Sequence, residues 1–386
     1  MSLTIKKPDL NPDSLDEKSL TISLCMIVKD EEDNLAQCLD SVKDLVDEIN
    51  IVDTGSTDRT MEIASQYTDR VFTFEWNNDF SAARNFSFSK ATKDYCMWLD
   101  ADDVITDENR TKFIAMKEEL DPSIDVVLSP YDYYQDKKTG AKFTHVRERL
   151  IKRDAGFYWD GVVHERITTD DPNITSAFTD VVITHSGYET SKSSDRNKVI
   201  LKSVIDSGKA GLREKYYHAM TLYSDGEYEE SLKWFHEFLN ELGDGYFECT
   251  NGILAMHDIY LKMNEPDKAL AVLMDNESLC SDMSEFYCAL GNHFRDIQNN
   301  QWNASTCYEK ALTCEGLMRD SSLPALKQDI YYYSVPLRAL GQCQVKLNQF
   351  SEALTSYKRA RIYNKKDMVL KELCDNLEKL VLQIGA

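Results

Sequence analysis

Between residues 21 and 99, short apolar runs alternate with segments whose apolar residues recur at helical spacing. This alternation limits the fold more than any other feature, because strands that alternate with helices form a mostly parallel sheet with helices on both faces. It predicts an α/β domain over residues 21–192, preceded by a flexible polar tail at 1–20. The predicted strands are 22–28, 49–52, 71–74 and 95–99.

Acidic residues follow two of these predicted strands. Asp53 ends the second strand, and Asp100, Asp102 and Asp103 come directly after the fourth. Sheets of this kind bind ligands outside the carboxyl ends of their strands, so Asp53, Asp100 and Asp102 are expected to line one crevice. Carboxylates held close together repel unless a cation lies beside them, and Mg²⁺ typically takes carboxylates plus substrate phosphates. A metal site is one interpretation, and a solvated acidic turn is the other.

The pattern is looser from about residue 120 to residue 190. Three tyrosines, Tyr131, Tyr133 and Tyr134, crowd one part of this segment. Their rings either stack on an acceptor or fill the sheet. We assign the segment to the acceptor side of the same domain. Its predicted strands are 126–128, 142–146, 150–151 and 181–183.

After about residue 193 the sequence is typical of helices throughout, with a weak repeat. The repeated segments are 226–232, 264–270, 300–305 and 348–354. Their small residues Ser231, Ala269, Ser305 and Ala353 recur at intervals of 38, 36 and 48 residues. Tetratricopeptide units run about 34 residues, and the long last interval requires an insertion near 314–328. The sequence predicts an all-α tetratricopeptide-like repeat domain over 193–386, with a concave surface.

Composition excludes several classes of protein. The formal net charge of -22 argues against a nucleic-acid partner, because a phosphate footprint requires clustered Lys and Arg. Ten cysteines include no Cys-x-x-Cys pair, which favours reduced core thiols over a disulfide framework. Neither a signal peptide nor a transmembrane run is apparent. These features together predict a cytoplasmic protein.

Four motifs occur in order along the first domain: LCMIVKDE at 24–31, IVDTGSTD at 51–58, DFSAARN at 79–85 and LDAD at 99–102. They resemble those of family 2 glycosyltransferases, which have the GT-A fold, a Rossmann-like and mostly parallel sheet. The resemblance covers roughly residues 21–190. The order of the two domains is also similar to that of SunS-type peptide S-glycosyltransferases, which modify cysteine in bacteriocin precursors.

The resemblance implies an inverting transfer from a nucleotide-diphosphate sugar, most simply a UDP-sugar. Asp53 would contact the uracil or ribose, although Thr54 stands where many relatives have a second acid. Arg84 would lie near the nucleotide or the diphosphate. Asp100 and Asp102 would form the DxD motif, with Asp100 toward the ribose and Asp102 on Mn²⁺ or Mg²⁺.

The acceptor nucleophile requires a base within hydrogen-bond reach. Candidates lie in the segment WDGVVHE at 159–165. We expect Glu165 to be the base, with Asp160 in reserve. By analogy with GT-A enzymes that use a late histidine, His164 is a candidate metal or phosphate ligand, and His185 competes for the metal role. Both histidines could instead be purely structural.

The resulting prediction is a metal-dependent glycosyltransferase whose repeats hold a peptide or protein acceptor or a second subunit. A polysaccharide or lipid-linked acceptor is the alternative among enzymes. An inactive sugar-nucleotide-binding module whose repeats recruit a partner is the alternative outside them, although the intact pair Asp100 and Asp102 argues against it. An exposed end of the helical array favours a homodimer as a further hypothesis.

Overall fold

The computed structural model describes residues 20–135, 142–186, 191–242, 248–314, 330–365 and 367–384. These residues form two compact units, of which the first ends at Lys209 and the second begins at Ala210. The first unit therefore extends past residue 192, the boundary expected from the sequence.

The first unit contains a sheet of nine strands and a separate two-stranded ribbon among the described residues. Its strands are β1 (Ile22–Val28), β2 (Glu48–Asp53), β3 (Val71–Thr73), β4 (Tyr95–Trp98), β5 (Asp103–Val104), β6 (Val126–Gln135), β7 (Lys142–Lys152), β8 (Tyr158–Asp160), β9 (Arg166–Thr168), β10 (Ser176–Phe178) and β11 (Ile183–His185). Its helices are α1 (Leu35–Val42), α2 (Thr60–Ala64), α3 (Phe80–Phe88), α4 (Asp107–Glu119) and α5 (Ser191–Asp206).

The strand order is β3-β2-β1-β4-β7-β6-β11-β5, with β10 paired to β6, while β8 and β9 form the ribbon. Strands β1 to β4 are parallel to their neighbours in that group. The sheet becomes mixed where β7 pairs antiparallel with both β4 and β6. The predicted mostly parallel sheet is thus confirmed for the first half of the unit, and the second half adds antiparallel strands.

The central strand β1 shows why the sequence folds this way. Leu24 and Met26 on one face are completely buried, and Cys25 on the other face is 2% exposed. A strand that is buried on both faces has a nearly continuous apolar sequence. Helix α1 contributes Leu35, Cys38, Leu39 and Val42 to the same core, at helical spacing.

A β-bulge interrupts the pairing of β6 with β7. Val127 pairs with Leu150 and Leu128 pairs with Glu148, which leaves Arg149 as the extra residue on β7. Bulges bend a strand and redirect side chains, and they are frequent beside active sites.

The second unit is helical among its described residues. Its helices are α6 (Leu212–Asp225), α7 (Tyr228–Glu241), α8 (Glu248–Lys262), α9 (Pro266–Asp275), α10 (Ser284–Asn292), α11 (Gln301–Ala311), α12 (Val335–Lys346), α13 (Phe350–Tyr363) and α14 (Met368–Ile384).

The four predicted repeat segments lie at the turns within the pairs α6–α7, α8–α9, α10–α11 and α12–α13. Each turn contains a residue with positive φ, namely Gly226, Asn264, Asn299 and Asn348. A left-handed residue of this kind ends a helix and lets the chain reverse. The small residues Ser231, Ala269 and Ala353 are completely buried. The predicted insertion near 314–328 lies almost wholly outside the described residues.

The expected fold class, a GT-A-like domain followed by tetratricopeptide-like helices, is confirmed. Within the described residues, no helix is both long and apolar enough to cross a bilayer.

Candidate active site

The site lies at the carboxyl edge of the parallel strands. In the register of the sheet Val28 pairs with Asp53, and Cys25 pairs with Trp98, so β1, β2 and β4 end at the same edge. Asp53, Asp100 and Asp102 are therefore brought to one edge. Strand β4 ends at Trp98, before the acidic run, so Asp100 and Asp102 do not share a strand face and make different contacts.

Asp53 is buried and organises the turn that follows it. Its carboxylate accepts hydrogen bonds from the backbone N–H groups of Gly55 and Ser56, at 3.0 and 3.1 Å. Gly55 has φ +108°, a conformation that L side chains rarely adopt. The hydroxyl group of Thr54 donates to the carbonyl oxygen of Val28 at 3.1 Å, so Thr54 holds the turn to β1.

Arg84 connects two of the candidate carboxylates. It lies on α3 and is only 8% exposed. Its Nη2 is 2.8 Å from Asp100 Oδ1, and its Nε is 2.6 Å from Glu165 Oε1. The guanidinium carbon lies 5.0 Å from the ring centroid of Trp98 and 4.7 Å from that of Trp159. The structure thus brings Arg84, Asp100 and Glu165 together.

The ionisation of this group follows from its contacts. Burial alone would raise the pKa of Asp100, but the charge and hydrogen bond of Arg84 hold that pKa below its ordinary value. Burial alone would lower the pKa of Arg84, but Asp100 and Glu165 raise it. Arg84 and Asp100 are therefore charged at neutral pH.

A second group contains Asp102, Asp103 and His185, whose ligand atoms all lie within 4.8 Å of one another. Strand β11 pairs with β5 so that His185 faces Asp103. His185 Nδ1 lies 3.4 Å from Asp102 Oδ1 and 3.7 Å from Asp103 Oδ1. Hydrogen bonds to Asp102 and Asp103 raise the pKa of His185 to about 10, against the opposing effect of burial.

Two residues outside the predicted set belong to this region. Arg149 is 1% exposed and forms an ion pair with the fully buried Asp103, at 3.1 Å. The hydroxyl group of Tyr131 donates to Asp103 Oδ1 at 2.8 Å and lies 3.1 Å from His185 Nδ1. The sequence did place Tyr131 among the aromatic candidates. No sequence signal distinguished Arg149, because β7 also contains Arg147, Glu148 and Lys152.

The remaining candidates lie apart from the Asp102, Asp103 and His185 group. His164 is exposed, with φ +56°, between β8 and β9. Asp160 is also exposed, and its carboxylate lies 3.6 Å from Arg166. His185 has carboxylate neighbours in Asp102 and Asp103.

The donor atoms fit a divalent cation. Asp102 offers a carboxylate and His185 an imidazole, and both side chains are partly accessible. Burial raises the pKa of Glu31, and the charges of Asp102 and Asp100 raise it further against a hydrogen bond from Asn34. The charges of Asp102 and Asp100 thus reach Glu31, and a cation bound at Asp102 would offset part of them.

Comparison with known proteins agrees with this geometry. Residues 23–178 match the model of glycosyl transferase family 2. The SPbeta prophage-derived glycosyltransferase SunS of Bacillus subtilis is 26% identical over 309 residues, which are 76% of this chain and 72% of that protein. A TPR repeat-containing protein of Synechococcus elongatus is 51% identical over 82 residues, 21% of this chain. The chain spans 20% of the length of that relative.

Two solved structures resemble parts of the chain. One is glucosyl-3-phosphoglycerate synthase from Mycobacterium tuberculosis, in complex with Mg²⁺ and UDP. The match covers 50% of this chain and 81% of the synthase chain, with 16% sequence identity and a TM-score of 0.34. The other is a thermophilic TPR protein of Thermus thermophilus. The match covers 48% of this chain and 90% of the TPR protein chain, with 15% sequence identity and a TM-score of 0.33. With TM-scores this low, neither resemblance decides the donor or the acceptor. Residues 23–178 thus resemble glycosyl transferase family 2, and the chain as a whole is similar to the glycosyltransferase SunS, with tetratricopeptide-like helices following the matched region.

Proposed function

We propose that this chain is an inverting glycosyltransferase that moves a sugar from a UDP-sugar to a peptide or protein acceptor. The proposal depends on two clusters of charged side chains in the candidate active site. Arg84, Asp100 and Glu165 form the first, and Asp102 with His185 forms the second. The first offers an ionised carboxylate beside a fixed cation, and the second offers ligands for a divalent metal.

On the donor side, Asp53 and Asp100 are the proposed contacts of the uridine. Asp100 is the more open of the two, because its side chain is 39% exposed. Asp53 is nearly buried and already accepts two backbone hydrogen bonds. Each carboxylate oxygen has two lone pairs, so Asp53 retains capacity for a base N–H or a ribose hydroxyl.

Asp102 and His185 are the proposed ligands of Mn²⁺ or Mg²⁺. When bound, the cation would act as a Lewis acid on the diphosphate that leaves with the nucleoside. Two protein ligands leave the remaining coordination positions to phosphate oxygens and water, as Mg²⁺ sites usually do. His164 remains the alternative histidine, as a metal or phosphate ligand.

Glu165 is the proposed base that accepts the proton of the attacking nucleophile. Its side chain is 12% exposed, whereas that of Asp160 is 51% exposed and lies near Arg166. Because Arg84 binds both Glu165 and Asp100, it fixes the base relative to the donor side of the site. In an inverting transfer the acceptor atom attacks the anomeric carbon as the bond to the diphosphate breaks, and Glu165 takes the acceptor proton.

The acceptor is the least constrained part of the proposal. Tetratricopeptide-like helices give an extended surface of the kind that binds peptides, which favours a peptide or protein over a polysaccharide or lipid-linked acceptor. The homodimer and the cytoplasmic location stay predictions from the sequence. The competing function is an inactive sugar-nucleotide-binding module.

The first experiment is a thermal-shift screen of UDP, GDP, CDP and dTDP, each with and without Mn²⁺. We expect UDP to stabilise the wild-type protein only with the metal, and Asp102→Ala to lose that effect. A ligand at 100 times its dissociation constant stabilises by about 2.7 kcal/mol, which is readily measured. Asp40→Ala is the control, because Asp40 is an exposed carboxylate on α1 that pairs with Lys43.

Absence of any shift with all four nucleotides would contradict the proposal. Metal-dependent binding without any hydrolysis of UDP-sugars, and without transfer to peptide, polysaccharide or lipid-linked acceptors, would instead favour the inactive binding module. Sugar transfer to a polysaccharide or lipid-linked acceptor alone would retain the donor chemistry and correct the acceptor class.

A further inference from the structure

Asp103 differs from the other carboxylates of the site because it is completely buried and already accepts three hydrogen bonds. Oδ2 accepts from Arg149 Nη1 at 3.1 Å and from the backbone N–H of Asp100 at 3.0 Å. Oδ1 accepts from the hydroxyl group of Tyr131 at 2.8 Å. The backbone N–H of Asp103 also donates to the carbonyl oxygen of Asp100 at 3.0 Å. Asp103 therefore closes the loop that carries Asp100 and Asp102.

Arg149 supplies the positive charge that pairs with Asp103. The bulge in β7 lets its guanidinium lie 3.8 Å from the ring centroid of Trp98 and 4.5 Å from that of Tyr131. Nη1 also donates to the carbonyl oxygen of Trp98, the last residue of β4. Within the described part of the chain, its only ion pair is with Asp103. The pair is thus internally neutral and attached to the end of β4.

Tyr131 connects Asp103 to His185 through its hydroxyl group. The Tyr131 side chain is buried, and its hydroxyl group lies between Asp103 and His185. The single hydroxyl proton goes to Asp103 Oδ1, because a carboxylate can only accept. The Tyr131 oxygen must then accept from His185 Nδ1, which lies 3.1 Å away. Without a metal, a pKa of about 10 keeps both ring nitrogens of His185 protonated. A divalent cation would therefore have to displace one proton, and the contact of Nδ1 with Tyr131 makes Nε2 the nitrogen that would release it.

We propose that Arg149, Asp103 and Tyr131 form a positioning unit that orients His185 and the Asp100–Asp102 loop, and that Asp103 is not itself a metal ligand. The inference rests on the proposed function for the metal role of Asp102 and His185. Metal-binding histidines usually donate their other ring N–H to a fixed partner, and loss of that partner weakens metal binding.

The spacing of Asp102, Asp103 and His185 alone would allow Asp103 as a third ligand. The contacts argue against that assignment. A cation on Asp103 would have to reach a completely buried carboxylate and compete for it with Arg149 and Tyr131. Breaking the buried ion pair would leave an uncompensated guanidinium in the core, which is strongly unfavourable. Asp102 has no such cost, because its side chain is 24% exposed.

The test is the affinity of the full chain for Mn²⁺, measured by titration calorimetry and by electron paramagnetic resonance of free Mn²⁺, without nucleotide. Tyr131→Phe removes only the hydroxyl group. We expect it to weaken Mn²⁺ binding about 10–100-fold, and we expect saturating Mn²⁺ to restore most of kcat. Asp102→Ala should abolish binding.

Tyr95→Phe is the matched control. Tyr95 is a buried tyrosine of the same unit whose hydroxyl group donates to the carbonyl oxygen of Ile124. We expect Tyr95→Phe to lose about as much thermal stability as Tyr131→Phe and to keep the Mn²⁺ affinity of the wild-type protein.

The inference would be overturned by an Mn²⁺ affinity of Tyr131→Phe within twofold of wild type, or by the absence of Mn²⁺ binding to the wild-type protein. An equal loss of affinity in Tyr95→Phe would also overturn it, because the effect would then be general destabilisation. If the Mn²⁺ results are as expected but no UDP-sugar is turned over, the proposed function fails while the positioning unit stands.

Discussion

Arg84 shows how a single side chain defines the chemistry of this site. One positive charge is shared by the two carboxylates of Asp100 and Glu165, and the guanidinium is enclosed by Trp98 and Trp159. Arg84 therefore fixes the position of Glu165, the proposed base, relative to Asp100.

At the residue scale, Glu165→Gln tests which carboxylate is the base. The amide has the shape of the carboxylate but cannot accept the proton, so we expect kcat to fall about 10²–10⁴-fold. Binding of UDP with Mn²⁺, measured by thermal shift, should change little. Asp160→Asn is the paired variant, and we expect its kcat to stay within a few-fold of wild type. A large loss in Asp160→Asn with near-normal kcat in Glu165→Gln would reverse the assignment.

At the scale of elements, the helical unit is held by contacts between small residues and aromatic rings. A Cβ atom at Gly341 on α12 would lie 2.5 Å from a ring carbon of Tyr357 on α13, and one at Gly291 on α10 would lie 2.7 Å from Tyr308 on α11. The same kind of contact therefore recurs in two successive helix pairs. The repeat in the sequence therefore corresponds to a repeated packing contact, in which a tyrosine ring occupies the space beside a glycine.

Gly341→Ala should accordingly lower the free energy of unfolding by about 1–3 kcal/mol, as overpacking of a core usually does. Gly252→Ala on α8 is the control, because its added Cβ would lie 3.5 Å from the ring of Phe235, an ordinary contact. It should be neutral or gain up to about 1 kcal/mol from helix propensity. Urea unfolding followed by circular dichroism measures both. Equal effects in the two variants would refute the packing argument.

At the scale of the whole molecule, a buried histidine pair in the helical unit makes stability depend on pH. His257 Nε2 lies 3.1 Å from His293 Nδ1. Burial, followed by the proximity of His293, lowers the pKa of His257 to about 4, while Asp258 opposes the shift. Burial also lowers the pKa of His293, and Asp267 opposes it. Both imidazoles are therefore neutral in the folded protein at pH 7.

Since the folded pKa of His257 is below the unfolded value of about 6.5, the unfolded chain takes up the proton first as pH falls. The contribution of His257 to stability is complete above about pH 6.5 and is lost progressively between about pH 6.5 and 4. Allowing for solvent screening, we expect a loss of about 1–2 kcal/mol from this residue. Calorimetric melting at pH 7, 6 and 5 should show a smaller decline in His257→Gln than in wild type. Parallel declines would contradict the assignment.

The sequence alone determined the parts of this protein that depend on local pattern. The first four strands follow from apolar runs, and the placement of Asp53, Asp100 and Asp102 at one edge follows from strands that run parallel. The repeat turns follow from Gly226, Asn264 and Asn348, because a left-handed residue is a local requirement. Each of these features depends on residues that are close together in the sequence, so it could be inferred without knowing which distant residues make contact.

Only the tertiary structure decided the partners within the site. Arg84 meets Glu165 across 81 residues, and Tyr131 meets His185 across 54. The pairing of β11 with β5 puts His185 beside the carboxylates of Asp102 and Asp103, and the one-residue bulge of β7 contains Arg149, which contacts Asp103. Such contacts depend on strand order and register, which many weak interactions fix jointly, and no spacing along the chain encodes them.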